Sequence, residues 1–422
     1  MFPPIILNRL RGTNSIILLI GAVTFVIGCL HFLLQSLSLS TGHGSGSSLD
    51  VLQRLYSKSD TQCLDYNIDD GQFTTSHVRF NCTGNRENAA FVMLVRNSEV
   101  HDARSSIRHV EDRFNKNYGY PWIFLNDLPF SDEFVKYTSS LVSGEAYYGI
   151  IDRENWEMPE WIDRKKAKAS MQSMEKQNIL YGGSESYRHM CRFFSGFFYK
   201  HELVSKYDYY WRVEPNTEIL CDVPYDPFKY MRENQKKYGF VISLMELYST
   251  IQTLWPTVQN FSTLHPEAIH KNNALGFIVD NEQNITSGGY NLCHFWSNFE
   301  IAAVDFWKSE AYENYFTFLD KTGGFYYERW GDAPVHSIAA AILLDKTELH
   351  WFDDFGYKHH PFTHCPERSE YHESGRCTCN PKENFDNNQF ACKNQYLRVN
   401  GDLELPDPIP PAKLRKNSII TY

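Results

Sequence analysis

The chain has 422 residues, with 41 Lys and Arg against 51 Asp and Glu for a formal charge of −10; 42% of it is hydrophobic and 22% charged. This is the composition of a globular protein with one large domain or two to three ordinary ones, and it excludes a disordered or collagen-like chain. The acidic balance also argues against a nucleic-acid partner, because a duplex demands a basic face.

Residues 15–35 form one apolar run, and no Asp, Glu, Lys or Arg occurs between Arg11 and Asp50. About 20 such residues span the ~30 Å hydrocarbon core of a bilayer, so the run reads as a retained signal-anchor helix rather than the shorter core of a cleaved signal. Arg9 and Arg11 flank its N-terminal side, which places residues 1–14 in the cytosol and the rest in a lumen or outside the cell. Residues 36–87, which open Ser- and Gly-rich, read as a stem; 88–400 as the folded body; and 401–422 as a loose tail.

In such a compartment the sequons at Asn81, Asn260 and Asn284 become candidate glycosylation sites. Nine cysteines follow the anchor; disulfides are their default state, and the odd number leaves at least one thiol over. Cys365, Cys377, Cys379 and Cys392 admit zinc as an alternative to a stapled C-terminal loop, although no Cys-x-x-Cys pair occurs among them.

The body opens with Ala89 to Val95, a continuous apolar and β-branched run that suits a strand buried on both faces of a parallel sheet. A charge-dense helical stretch follows, from Glu99 to Asn115. Further strands are predicted at Pro121 to Asp127, Tyr147 to Ile151, Tyr209 to Val213 and Phe240 to Leu244. A helix is predicted from Asp163 to Asn178, with Asp163 as its N-cap. This alternation predicts an α/β layer fold with a parallel-rich central sheet.

Ligands of open α/β sheets bind beyond the carboxyl ends of the strands. That rule points to Arg96, to Asn126 and Asp127, and to Glu214 in the string Arg212-Val213-Glu214-Pro215. A carboxylate at a strand tip can hold a hard divalent cation; the plainer alternative is an ion pair with Arg212. The segment Trp351 to His360 gathers His and Asp, a donor set that suits manganese, or else is a solvated loop. Glu300 ends an aromatic-dense stretch beginning at Asn291, and aromatic rings can stack on sugar faces while a carboxylate meets a hydroxyl or an anomeric carbon. Asp332 repeats that theme after Tyr326-Tyr327-Glu328-Arg329-Trp330-Gly331, with capping of the helix Ala333 to Leu344 as its alternative. Arg188 and Arg192 stand at i and i+4 on one helical face, placed for a pyrophosphate or for acidic neighbours.

Taken together, the strings Gly119-Tyr120-Pro121-Trp122 through Glu133-Phe134, Ser184 to Phe193, Tyr210-Trp211-Arg212-Val213-Glu214-Pro215, Tyr290 to Ile301 and Tyr327 to Ser337 resemble the fungal Golgi α-1,2-mannosyltransferases of glycosyltransferase family 15. The likeness runs from about Asn88 to Cys392, and the cytosolic tail, anchor and stem match that family's type II topology. It implies a GT-A, nucleotide-diphospho-sugar fold, GDP-mannose as donor, a mannose-containing glycan as acceptor and Mn2+ as cofactor. It further implies that Glu214 takes the place of the usual Asp-x-Asp metal motif and that His359 completes the metal site. Tyr187 matches a tyrosine near the nucleotide, Glu300 the carboxylate proposed as nucleophile, and Asp332 another acidic residue of the active site. The implied reaction is a retaining mannosyl transfer, with Glu300 as covalent nucleophile or as stabiliser of an oxocarbenium-like centre. Transfer of mannosyl-phosphate with the same donor, or a non-catalytic glycan-binding role, are the rival readings.

Overall fold

The apolar run near residue 90 becomes β1 (Ala89–Leu94), buried along almost its whole length. In the computed structural model, residues 86–280 and 284–401 are described; the anchor run, the stem up to residue 85, Asn81, Cys63, Cys82 and the tail beyond 401 lie outside the described residues. No helix among the described residues is long and apolar enough to cross a membrane.

The other strands of the main sheet are β2 (Trp122–Asn126), β3 (Ala146–Ile150), β4 (Tyr209–Arg212), β6 (Tyr238–Phe240), β9 (Glu300–Ala303) and β10 (Leu349–Trp351), in the order β10-β6-β9-β4-β1-β2-β3. The β1–β2, β2–β3, β1–β4 and β6–β10 pairings are parallel, as the alternation of strands and helices predicts. β9 runs antiparallel between β4 and β6, which the sequence did not announce. The predicted strand at Phe240 to Leu244 is divided between two sheets. Its start closes β6, whereas β7 (Ser243–Met245) leaves to pair antiparallel with β8 (Cys293–Phe295). A third, antiparallel sheet holds β5 (Thr217–Ile219), β11 (Tyr357–His359) and β12 (Phe362–His364).

Side chains of successive strand residues point to opposite faces. In β1, Ala90 and Val92 therefore enter one apolar core while Ala89, Phe91 and Met93 enter the other. Helix α1 (Val100–Arg113) covers the second face with Val100, Ala103, Ile107 and Val110 at helical spacing, and α2 (Asp132–Ser139) packs beside it. Each fully buried side chain of this kind contributes roughly 1.5–3 kcal/mol. The first face carries α3 (Arg164–Lys176), α4 (Glu185–Gly196), α5 (Leu254–Leu264), α6 (Glu310–Asp320) and α7 (Asp332–Leu343). Asp163 caps α3 as predicted, accepting from the backbone N–H groups of Lys165 and Lys166.

Three disulfides replace the zinc reading. Cys365 joins Cys379, Cys377 joins Cys221, and Cys392, just before α8 (Lys393–Asn400), joins Cys293 on β8. The four clustered cysteines are thus spread over three bridges: one joins two of them to each other, and the other two reach back into the body. Cys191, on α4, is the buried free thiol among the described residues.

Candidate active site

The antiparallel pairing of β9 with β4 sets Glu300 directly opposite Arg212 in register. Tyr210 and Arg212, two residues apart on β4, share the face that Glu300 occupies. Tyr210 Oη donates to Glu300 Oε1 at 2.7 Å, and Tyr238 Oη, from β6, donates to Oε2 at 3.0 Å. Burial first, and the adjoining Glu300 second, hold both phenols' pKa well above their ordinary value, so both stay protonated as donors. His336 on α7 brings Nδ1 to 3.1 Å from the same Oε2. Glu300 is wholly buried, with every one of these partners inside the protein.

Arg212 is the hub beside it. Nη1 meets Asp332 Oδ2 at 2.5 Å, Nη2 meets Glu214 Oε1 at 2.5 Å, and the guanidinium lies 3.5 Å over the Phe194 ring. Burial works to strip its charge, but Asp332, Glu214 and Glu300 outweigh it and hold the pKa well above the usual guanidinium value. Asp332 also accepts from Ser297 Oγ at 2.7 Å. It is the first residue of α7, with Gly331 at the N-cap, so its carboxylate is committed to Arg212 and Ser297 and does not cap the helix. The ion-pair alternative for Glu214 is real, yet it uses only one oxygen.

The other oxygen faces a different group. His359, on β11, places Nε2 3.8 Å from Glu214 Oε2, and both side chains are about a quarter exposed (26% each). His359 Nδ1 is 3.2 Å from the His360 carbonyl, which can only accept, so Nδ1 carries a hydrogen and Nε2 is the nitrogen turned toward Glu214. A ring nitrogen facing a carboxylate oxygen, too far for a hydrogen bond, fits two ligands with room for a cation between them. Carboxylate and imidazole together suit a divalent ion of the manganese type. Among the described residues no group of three or more His, Cys, Asp or Glu gathers to hold a metal; Glu214 and His359 are the pair whose geometry suits one.

Arg96, at the end of β1, is exposed and donates to Ser186 Oγ at 2.6 Å, in the first turn of α4. Ser184 caps that helix by accepting from Tyr187 N. The Tyr187 ring stacks on Tyr181 with centroids 4.5 Å apart, and the Arg329 guanidinium lies 5.3 Å over it. Arg188 is not brought to this opening. It is fully buried, donating to the carbonyls of Glu328 and Ser184 and lying against Met174, and burial pulls its pKa down to about 10. Arg192 takes the acidic alternative, a bidentate pair with Asp320. Asn260 on α5 and Asn284 are exposed, and Asn284 Oδ1 accepts from both Thr286 N and Thr286 Oγ1.

Sequence reasoning missed Tyr210, Tyr238, His336, Ser297 and Arg329 as members of this neighbourhood. The two-residue spacing of Tyr210 and Arg212, and the four-residue spacing of Asp332 and His336, were the available signals. Nothing in the chain around Tyr238 pointed to it.

This fold and this site define an α/β glycosyltransferase. Two solved structures resemble it over most of their length. One is core-mannan synthase A (CmsA/Ktr4) from Aspergillus fumigatus in a Mn/GDP form, 40% identical over 74% of this chain and 85% of that one, with a TM-score of 0.68. The other is the mannosyltransferase Ktr4p from S. cerevisiae in complex with GDP, 44% identical over 74% and 82%, with a TM-score of 0.70. Alpha-1,2 mannosyltransferase KTR1 of Saccharomyces cerevisiae is 52% identical over 326 residues, 77% of this chain and 81% of the relative. The chain belongs to the glycolipid 2-alpha-mannosyltransferase family, whose model matches residues 55–401.

Proposed function

We propose that this protein is a retaining α-1,2-mannosyltransferase that moves mannose from GDP-mannose to mannose-terminated N-linked or O-linked glycans of glycoproteins, with Mn2+ as its ion. It works in the Golgi lumen, held by the single anchor helix at residues 15–35. The observation that carries the reading is the pair Glu214 and His359, 3.8 Å apart at a strand tip with the imidazole Nε2 turned toward the carboxylate.

Glu214 and His359 would hold the ion, which when bound stabilises the charge that develops on the departing GDP. Arg96 and the first turn of α4 bring a guanidinium and free backbone N–H groups together, a setting that favours a diphosphate. Tyr187, stacked on Tyr181 and with the Arg329 guanidinium over its ring, stands in the same turn. Arg212 keeps Glu214 in place and ties it to Asp332. Glu300 has three buried partners to leave before it could attack an anomeric carbon. Its surroundings therefore support a fixed carboxyl that stabilises developing positive charge on the sugar, rather than a covalent nucleophile.

The test is product analysis with the purified full chain in detergent, GDP-mannose, Mn2+ and short mannose acceptors. An α-1,2-linked neutral product with release of GDP is expected. Release of GMP with a phosphodiester product would establish mannosyl-phosphate transfer instead, and no transfer to any mannoside would end the proposal. Alkaline carbonate extraction should leave the chain in the membrane pellet; release into the supernatant would remove the anchor.

A further inference from the structure

His336 sits one turn after Asp332 on α7 and has no exposed surface. Its ring is bonded at both nitrogens: Nε2 lies 2.9 Å from the Phe194 carbonyl of α4, and Nδ1 lies 3.1 Å from Glu300 Oε2. A carbonyl oxygen only accepts, so Nε2 carries a hydrogen. Nδ1 then faces an oxygen of a carboxyl that already accepts from two phenols. Two bare lone pairs at that distance in a dry interior would repel, so one proton lies on the line from Nδ1 to Oε2, whichever atom carries it. The two residues are then jointly neutral, as imidazolium with carboxylate or imidazole with carboxyl.

The charges around them agree. On β4, Arg212 is met by Asp332 and Glu214 at 2.5 Å each, while Glu300 Oε1 stands 4.0 Å from its Nη1. β6 contributes only the neutral Tyr238, and α6 only Tyr312, whose ring is 6.3 Å from the imidazole. The Trp307 ring lies 4.2 Å from the imidazole and shuts out water. Asp332, on the helix of His336 itself, is the remaining charge, and Arg212 holds it.

We propose that His336 is a positioning residue for the transfer, because it shares one proton with Glu300 and so fixes the orientation of that carboxyl within a neutral pair. This rests on the role given above to Glu300. Without His336, Glu300 either stands as an uncompensated buried anion 4.0 Å from Arg212, competing with Asp332 and Glu214 for that guanidinium, or keeps a proton with no imidazole to orient it. The damage reaches the sugar side and the metal side through displaced partners, with no contact between His336 and either substrate.

The experiment compares His336→Leu, His336→Asn, Glu300→Gln and the double variant His336→Leu/Glu300→Gln in the full chain. In His336→Leu, kcat should fall on the order of 100-fold, with the KM for GDP-mannose changed by less than about threefold. His336→Asn keeps a donor able to reach Glu300 and should recover part of kcat. The double variant needs no shared proton and should melt above His336→Leu, although it stays inactive. The unsubstituted protein should show one exchange-protected, far-downfield proton that disappears in both His336→Leu and Glu300→Gln. Unchanged kcat in His336→Leu, equal melting of the single and double variants, or the absence of that resonance would each overturn the proposal. If the unsubstituted chain transfers no mannose, the assignment of function fails, while the resonance and the melting comparison still judge the His336–Glu300 pair.

Discussion

Arg212 and Asp332, 120 residues apart in the chain, meet at 2.5 Å through Nη1 and Oδ2, both buried. The contact joins the tip of β4 to the first turn of α7 and holds the strand-end Glu214 from behind. Isolated burial of either charge would be costly, so each depends on the other.

Arg212→Met should therefore destabilise the protein by about 3–5 kcal/mol, because Asp332 is left as an unpaired buried anion. Urea unfolding monitored by tryptophan fluorescence measures this. A loss under about 1 kcal/mol would mean that the pair is less isolated from water than its burial indicates.

The same pair sets a pH dependence. Burial pushes the Asp332 carboxyl upward, but Arg212 beside it, the field of His336 and the bonds from Arg212 and Ser297 hold it below its ordinary range. Its ordinary value is about 3.9, so the stabilisation from the ionised form is fully present above that pH and fades as pH falls below it toward the folded value. Unfolding midpoints taken from pH 6 to pH 3 should fall more steeply for the unsubstituted protein than for Asp332→Asn. Parallel curves would remove Asp332 as a source of acid sensitivity.

Glu214→Ala removes one of two ligands from a quarter-exposed position, so the fold should persist while metal-dependent GDP binding weakens by roughly 10–100-fold or more. Calorimetry with and without Mn2+ reads the difference. Excess chelator should abolish transfer by the unsubstituted protein, and Mn2+ should restore it.

The bridge between Cys293 and Cys392 closes a long loop, with a sequence separation of 99, and ties β8 to the residue that precedes α8. Replacing both cysteines by serine should cost about 2–5 kcal/mol and lower Tm by roughly 5–10 °C. Scanning calorimetry under non-reducing conditions tests it, and an unchanged Tm would mean that packing alone retains the C-terminal segment.

Gly196 closes α4 against α6. A β-carbon there would lie 2.0 Å from the Phe316 ring, which is itself buried. Gly196→Ala should destabilise by about 1–3 kcal/mol, although alanine is the better helix former by about 1 kcal/mol. A stabilised variant would show that the ring can move aside.

Much of the first half of the fold was legible because buried parallel strands are continuous apolar runs and helices carry caps. Ala89 to Val95, Pro121 to Asp127 and Asp163 with its helix correspond to β1, β2 and α3 within a residue or two at each end. The run from Phe240 to Leu244 misled because hydrophobic pattern reports burial and not partnership, and its two halves join different sheets. The same limit applies to Arg188, whose position on a helical face was legible but whose turn into the core was not.

The residues alone determined which chemical groups this protein possesses: strand-tip carboxylates, histidines in the segment Trp351 to His360, an acidic residue at the head of a helix. Only the tertiary structure decided how those groups use one another. The antiparallel insertion of β9 put Glu300 opposite Arg212, and the packing of α7 on α4 brought His336 to the same carboxyl. Charge pairing and proton sharing act over a few ångströms, and contacts between residues 36 to 142 positions apart are set by chain crossings that no local pattern encodes.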